Sequence, residues 1–217
     1  NLKLIACRST GFDHIDLEAA KEHNVTVVNV PVYGETTVAE YTFTLMTALM
    51  RKQPATLAVE HESFSAELLR GNDLEGKTLG VIGTGHIGRK VLKIAGGFSM
   101  NLIAYDAFPN PDLESTHNFT YVDLGELVKQ ADVITLHAPY LPATHHILNH
   151  ERLSATKKGT VIVNTARGEL IDTKALTELL ANGHLGGAAL DVVEGEALLH
   201  YRKEKEALEA SIPDNET

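Results

Sequence analysis

The chain has 217 residues, enough for one large domain or a large one with a small one beside it. Its 43% hydrophobic and 22% charged residues are those of an ordinary globular protein, and a net charge of −10 argues against a nucleic-acid partner, which would need a basic face. No apolar run reaches the length of a membrane span, and the single cysteine, Cys7, excludes an internal disulfide framework.

Residues 3–6 read as a short buried strand, with Cys7 a small core residue at its end. Asn1-Leu2-Lys3-Leu4-Ile5 runs directly into that strand, so no secretory leader is expected and a cytoplasmic enzyme is the natural class. Arg8-Ser9-Thr10-Gly11 is a loop, and Asp16 is placed to cap a helix through Lys21 and Glu22 that Asn24 closes. Val25 to Val28 is the second strand. Thr37 to Met50 has helical spacing, with Val38, Tyr41, Thr42, Leu45 and Leu49 on its apolar stripe, and a second helical stretch covers about 54–69.

Gly71 to Lys77 is a turn-rich boundary. After it, strands near 79–82, 102–105, 119–122, 133–136, 161–164 and 187–190 alternate with amphipathic segments. The helices are expected over 87–95, over 124–130 after an Asp123 cap, over 151–157 after Asn149, and over 173–181 between Asp172 and Asn182-Gly183. The charged stretch 198–210 reads as an exposed helix. Strict alternation of this kind implies an α/β fold, a doubly wound parallel sheet covered on both faces.

The most informative stretch is Val81-Ile82-Gly83-Thr84-Gly85-His86-Ile87-Gly88, followed eighteen residues later by Asp106. A buried strand runs into Gly-x-Gly-x-x-Gly and then into a helix, and the next strand ends on an acid. That is the pattern of a Rossmann-type dinucleotide-binding unit. Gly83 permits the tight turn, Gly85 lets a pyrophosphate approach the backbone, and Gly88 lets the helix pack close to the sheet. The helix start offers unpaired N–H groups to the phosphates. Asp106 can accept from both ribose hydroxyls and would repel a 2′-phosphate, so the cofactor is read as NAD.

Ligands of such sheets lie outside the carboxyl ends of the strands. The segments there are Gly83 to Gly88, Asp106, His137-Ala138-Pro139, Asn164-Thr165-Ala166-Arg167-Gly168 and Asp191-Val192-Val193-Glu194-Gly195-Glu196. Arg167 suits a carboxylate, because its planar fork binds bidentately and keeps its charge. Glu194 reads as a solvated neighbour. His137, His145, His146 and His150 crowd one loop, but zinc sites need a tidier constellation with carboxylates or thiolates, so no metal is expected and these histidines should touch solvent or nucleotide.

Together with Arg8-Ser9-Thr10-Gly11-Phe12-Asp13-His14-Ile15-Asp16, these motifs resemble the D-isomer-specific 2-hydroxyacid dehydrogenases, and within them most the D-lactate dehydrogenase branch. The resemblance implies that Arg167 binds the substrate carboxylate with help from the Thr10 and Gly11 backbone, and that Glu196 hydrogen-bonds the catalytic histidine. It implies that Asp191 holds the nicotinamide carboxamide, Thr165 and Ala166 flank the nicotinamide, His86 and Ile87 lie at the pyrophosphate, and Ala138, Pro139 and Thr144 line the nucleotide crevice. Residues 1–35 would be a remnant of a smaller flavodoxin-like substrate domain, 36–195 the NAD-binding domain with its leading crossover helix, and 196–217 the start of a return segment. The family's catalytic histidine comes in a Pro-His context beyond the last residue here, so the expectation is a piece of an active parent enzyme that turns over nothing by itself. The parent is expected to be a homodimer, with the 37–50 helix contributing to the interface, acting on a small 2-oxo or 2-hydroxy acid, pyruvate first. The alternative is a non-catalytic NAD-sensing module of the corepressor type, which shares these motifs.

Overall fold

The computed structural model describes residues 2–53 and 69–196. Strands β1 (Leu4–Ala6) and β2 (Thr26–Val28) form a parallel pair, Ile5 opposite Val27, joined through helix α1 (Leu17–Glu22). Asp16 caps α1 by accepting from the Ala19 N–H, and Asn24 takes a left-handed φ of 53° just past its end. Helix α2 (Glu35–Met50) follows. The rest alternates in order as β3 (Thr78–Ile82), α3 (His86–Gly97), β4 (Asn101–Tyr105), α4 (Pro111–His117), β5 (Thr120–Tyr121), α5 (Leu124–Gln130), β6 (Val133–Leu136), α6 (His150–Ser154), β7 (Val161–Asn164), a 3-10 turn (Gly168–Leu170), α7 (Thr173–Ala181) and β8 (Gly187–Leu190).

The six later strands form one parallel sheet in the order β5-β4-β3-β6-β7-β8. The chain builds outward from β3 through β4 to β5, then crosses back to lay β6 on the other side of β3. That reversal opens a crevice at the carboxyl ends of β3 and β6. Alternate strand residues serve opposite faces. Val81, Val133, Val161 and Val163 pack with α2 and α3 residues such as Phe43, Met46, Val91 and Leu92. Ile82, Ile134, Leu136 and Ile162 pack with Leu127, Leu153 and Leu176 from α5, α6 and α7. The expected doubly wound sheet is present, with all six strands where the alternation placed them to within two residues.

Three expectations need correction. Helix α2 buries Ala39, Thr42, Phe43, Met46 and Met50, whereas Tyr41 is exposed and Val38, Leu45 and Leu49 are half-buried. Its apolar residues run almost all round, so periodicity could not choose the face; contact with α3 and the sheet chose it. Helix α6 stops at Ser154 rather than reaching Lys157, and α4 was not anticipated at all. In α4, Asn110 caps the Asp112 N–H and Pro111 opens the first turn, but no residue is buried, so no apolar stripe announces it. The helices expected over 54–69 and 198–210, and the return segment 196–217, lie almost wholly outside the described residues. No described helix is long and apolar enough to cross a membrane.

Candidate active site at the carboxyl rim of the sheet

Gly83 leaves β3 with φ 95°, and a Cβ there would lie 2.8 Å from the His137 and Ala138 backbone, so only glycine fits the turn. A Cβ on Gly88 would run into the Gly83 carbonyl, which is how closely α3 approaches the strand. Gly85, by contrast, faces open space, and no side chain caps the start of α3. A 12-residue helix with bare first-turn N–H groups beside a glycine with room in front of it fits a pyrophosphate. His86 is exposed at that start, its Nδ1 3.1 Å from Arg89 Nη2, and Ile87 is half-buried beside it.

Asp106 is the first residue after β4. Its Oδ2 accepts from the Thr84 N–H at 2.7 Å and the Thr84 hydroxyl at 2.9 Å, and its Oδ1 accepts from the Phe108 N–H at 2.9 Å. Three donors hold the carboxylate in one orientation at the carboxyl end of β4. Thr84 is buried and also touches the Tyr121 hydroxyl at 2.8 Å. It sits at a variable position of the glycine motif, so nothing in the spacing pointed to it.

After β6, the His137 N–H donates to the Ile82 carbonyl at 2.7 Å and binds this turn to the glycine turn. The residue keeps some exposure, but its ring Nδ1 is shut off from solvent with no partner among the described residues, and Nε2 lies 2.9 Å from the Thr135 hydroxyl. Burial pushes the His137 pKa down to about 3, so the ring is neutral at physiological pH. It is a packed ring at the crevice, where the sequence suggested a histidine touching solvent or nucleotide. Thr144 donates to the Pro139 carbonyl at 2.7 Å and accepts from the Leu141 N–H at 2.8 Å, closing the loop in which Ala138 is half-buried and Pro139 exposed.

The turn after β7 is built by buried Asn164, whose side chain donates to the Arg167 carbonyl at 2.8 Å and accepts from the Ala166 N–H at 3.0 Å. Thr165 is buried, with its hydroxyl 3.0 Å from that of Thr42 on α2. Arg167 reaches across to the two-stranded unit. Its Nε and Nη2 meet the Asp13 carboxylate at 2.9–3.2 Å, its Nη1 donates to the Ala166 carbonyl at 2.8 Å, and its guanidinium covers Gly11. The bond between the two side chains raises the Arg167 pKa and holds the Asp13 carboxyl below the usual carboxylate range. Asp13 belonged to a quoted motif but carried no assigned role; its partner is 154 residues away and could not be read from spacing. Thr10 lies alongside, its hydroxyl donating to the Val30 carbonyl at 3.0 Å.

After β8, the Asp191 N–H donates to the Asn164 carbonyl at 2.9 Å and the residue is exposed. The Val193–Glu194 backbone packs so closely on Gly168 that a Cβ there would overlap it. Glu196 accepts from the Val193 N–H at 3.1 Å and adds, with Glu169, to the negative field on Arg167. Glu194 is not the freely solvated residue expected: it is half-buried and its Oε1 lies 2.7 Å from His146 Nε2. A cavity of about 460 Å³ lined by Met50, Arg51, Leu74 and Phe98 among others lies at the opposite, amino-end rim and has no part in this constellation.

The family profile described as D-isomer specific 2-hydroxyacid dehydrogenase, NAD binding domain, matches residues 43–211. The 2-hydroxyacid dehydrogenase homolog 1 of Schizosaccharomyces pombe is 44% identical over 202 residues, which are 92% of this chain and 60% of that protein. The crystal structure of D-lactate dehydrogenase from Aquifex aeolicus, complexed with NAD and lactic acid, superposes with a TM-score of 0.84 at 40% identity, covering 94% of this chain and 62% of that one. The apo D-lactate dehydrogenase from Escherichia coli gives a TM-score of 0.81 at 42% identity over 94% of this chain and 64% of its own. The chain thus spans about 60% of the length of the curated relatives it matches. A glycine turn on the first strand, an acid after the second, an arginine at the same rim and a profile match over most of the chain converge: the chain belongs to the D-isomer specific 2-hydroxyacid dehydrogenases and carries their NAD-binding domain.

Proposed function

We propose that the protein is an NAD-dependent oxidoreductase that interconverts a small 2-oxo acid, pyruvate first, with the D-2-hydroxy acid. The observation that carries this reading is the state of Arg167. A guanidinium has five N–H groups. Asp13 and the Ala166 carbonyl take three, which among the described residues leaves one on each of Nη1 and Nη2. Two N–H groups left at the tip of a fork whose Nε edge is already anchored suit a carboxylate. Asp13 thereby orients the fork before substrate arrives, and preorganised charge costs no rearrangement at the reacting stage.

The remaining assignments follow the rim. Gly83, Gly85 and Gly88, with His86 and Ile87 at the start of α3, hold the pyrophosphate, and Asp106 holds the ribose. Ala138, Pro139 and Thr144 line the nucleotide crevice, Thr165 and Ala166 flank the nicotinamide, and Asp191 meets its carboxamide. When bound, the reduced cofactor supplies the hydride that adds to C2 of the oxo acid. Thr10 and Gly11 assist Arg167 on the carboxylate, and Glu196 hydrogen-bonds the histidine that gives the carbonyl oxygen its proton. Residues 1–35 belong to the substrate domain, and the protein works as a cytoplasmic homodimer with α2 at the interface.

Steady-state NADH oxidation by the intact protein tests the reading, with pyruvate, 2-oxoisocaproate, phenylpyruvate and phosphohydroxypyruvate compared. Arg167→Gln should lower kcat/KM by roughly 100-fold or more while NADH affinity stays within about threefold. An equal fall in both would remove the role assigned to Arg167. NADH binding without turnover of any oxo acid would favour an NAD-sensing module instead.

A further inference from the structure

The structure sorts the four crowded histidines into different fates. His137 is packed against Thr135, and His150 opens α6 with its Nε2 3.8 Å from Glu178 on α7. His145 and His146 stay together, rings stacked with centroids 3.9 Å apart, on the loop that follows β6. The fold brings a carboxylate to them from 48 residues away. Glu194 places Oε1 2.7 Å from His146 Nε2. One ligand atom from each of His145, His146 and Glu194 lies within 4.8 Å of the other two, and this is the one such trio found among the described residues.

We propose that His145, His146 and Glu194 form a binding site for a divalent transition-metal ion with the preferences of zinc. Two imidazoles and a carboxylate are the donor set such an ion favours, with a fourth position left for water. A tetrahedral ion with bonds of about 2.1 Å sets its donors about 3.4 Å apart. To take up the ion, the His146–Glu194 pair would open from 2.7 Å to about that spacing, the metal replacing the hydrogen-bond proton between them. His145 is exposed, its ring edge-on to Tyr140 with centroids 6.0 Å apart and stacked on His146, so its ring can turn to bring a nitrogen in. The other two donors are anchored through their backbones. The His146 N–H donates to the Glu169 carbonyl at 2.9 Å with the residue at φ 48°, and the Glu194 turn is seated on Gly168.

A bound ion would cross-link the loop after β6 to the turn after β8, the turn that carries Asp191 and Glu196. The site stands apart from the dehydrogenase reading, and either can fail without the other.

Zinc titrated by calorimetry into the tag-free intact protein, against a competing chelator, tests it, with cobalt absorption reporting imidazole and carboxylate coordination. One ion per chain is expected, bound at least about tenfold more weakly by His145→Ala and Glu194→Gln and equally well by His150→Ala. Affinity should fall on acidification, because the ion displaces a proton. His145→Ala alters only an exposed ring and keeps the fold, which circular dichroism checks, so its result stands even if Glu194→Gln unfolds. No zinc binding by the unmodified protein, or binding that His145→Ala leaves unchanged, would overturn the proposal.

Discussion

Strands β6 and β7 are buried at every position, whereas β1 and β2 each expose the residues on either side of one half-buried residue. Leu4-Ile5-Ala6 and Thr26-Val27-Val28 are nearly as apolar as Val133-Ile134-Thr135-Leu136 and Val161-Ile162-Val163-Asn164. The difference is cover: helices close both faces of the six-stranded sheet, while in this chain, which spans about 60% of the length of its relatives, the two-stranded unit leaves Leu4, Val28, Val30, Val32 and Tyr33 exposed. An apolar run therefore predicts a strand better than it predicts burial. The two regions are also joined differently from within. Packing holds the sheet together, and the Asp13–Arg167 ion pair ties the small unit to it at the site itself.

The sharpest way to test that contrast is truncation. Leu136→Ala or Ile162→Ala should cost about 2–5 kcal/mol, because each leaves a cavity in a close-packed layer. In the 217-residue chain, Val28→Ala should cost under about 0.5 kcal/mol, the residue being 45% exposed already. Urea unfolding midpoints measure both, and equal losses would erase the distinction between the regions.

Acid should weaken the sheet at His137. Its folded pKa of about 3 lies below its ordinary value of 6.5, so over that range the unfolded chain takes up a proton that the folded chain refuses. This contribution to stability is whole above pH 6.5 and is lost as pH falls toward 3, at up to about 1.4 kcal/mol per pH unit. In His137→Gln the midpoint should vary less with pH over that window; an unchanged slope would place the acid sensitivity elsewhere.

At the crevice, Gly83→Ala should cost about 1–3 kcal/mol, since φ 95° strains any residue with a Cβ and the His137–Ala138 backbone leaves no room for one. NADH titration of a variant that still folds should show weakened affinity, and undiminished affinity would mean the turn is not at the cofactor.

A smaller stability effect than that at Gly83 belongs to the bridge between the regions. Asp13→Asn should cost less than about 1 kcal/mol, because the Asp13 and Arg167 side chains are 41% and 39% exposed and water screens them. Its kinetic effect should be larger, a raised KM for the oxo acid at unchanged NADH affinity, as Arg167 loses its anchor. The pH dependence has the carboxylate sign. The folded Asp13 pKa lies below 3.8, so the pair stabilises at pH above 3.8 and that contribution disappears as pH falls through the folded value. Denaturation of the Asn variant should lack this low-pH limb.

Much of this was legible before any coordinates. The period-2 and period-3.6 patterns, the caps at Asp16, Asp123, Asn149 and Asp172, and the glycine turn out of β3 all act over a few residues, and the chain states them locally. The burying face of α2 was not legible, because its apolar residues surround the helix and only the sheet selects among them. Nor was α4, which buries no residue fully, Leu113 alone packing half-buried on the core, and so leaves no periodic trace. Around the site, the arginine and the acids could be picked out by residue type, but Thr84 on Asp106, Asp13 on Arg167 and Glu194 on His146 could not.

The sequence by itself determined the order of the elements, the parallel sheet they must build, the turn where a dinucleotide fits and the family to which the chain belongs. Tertiary structure alone decided which charges are neutralised, which histidines are buried and which carboxylate meets which ring. The physical reason is range. Backbone preferences and hydrophobic periods are set within a turn or two of chain, while an ion pair or a ligand cluster joins side chains whose separation along the chain, 154 residues for Asp13 and Arg167 and 48 for His146 and Glu194, has no bearing on their distance in space.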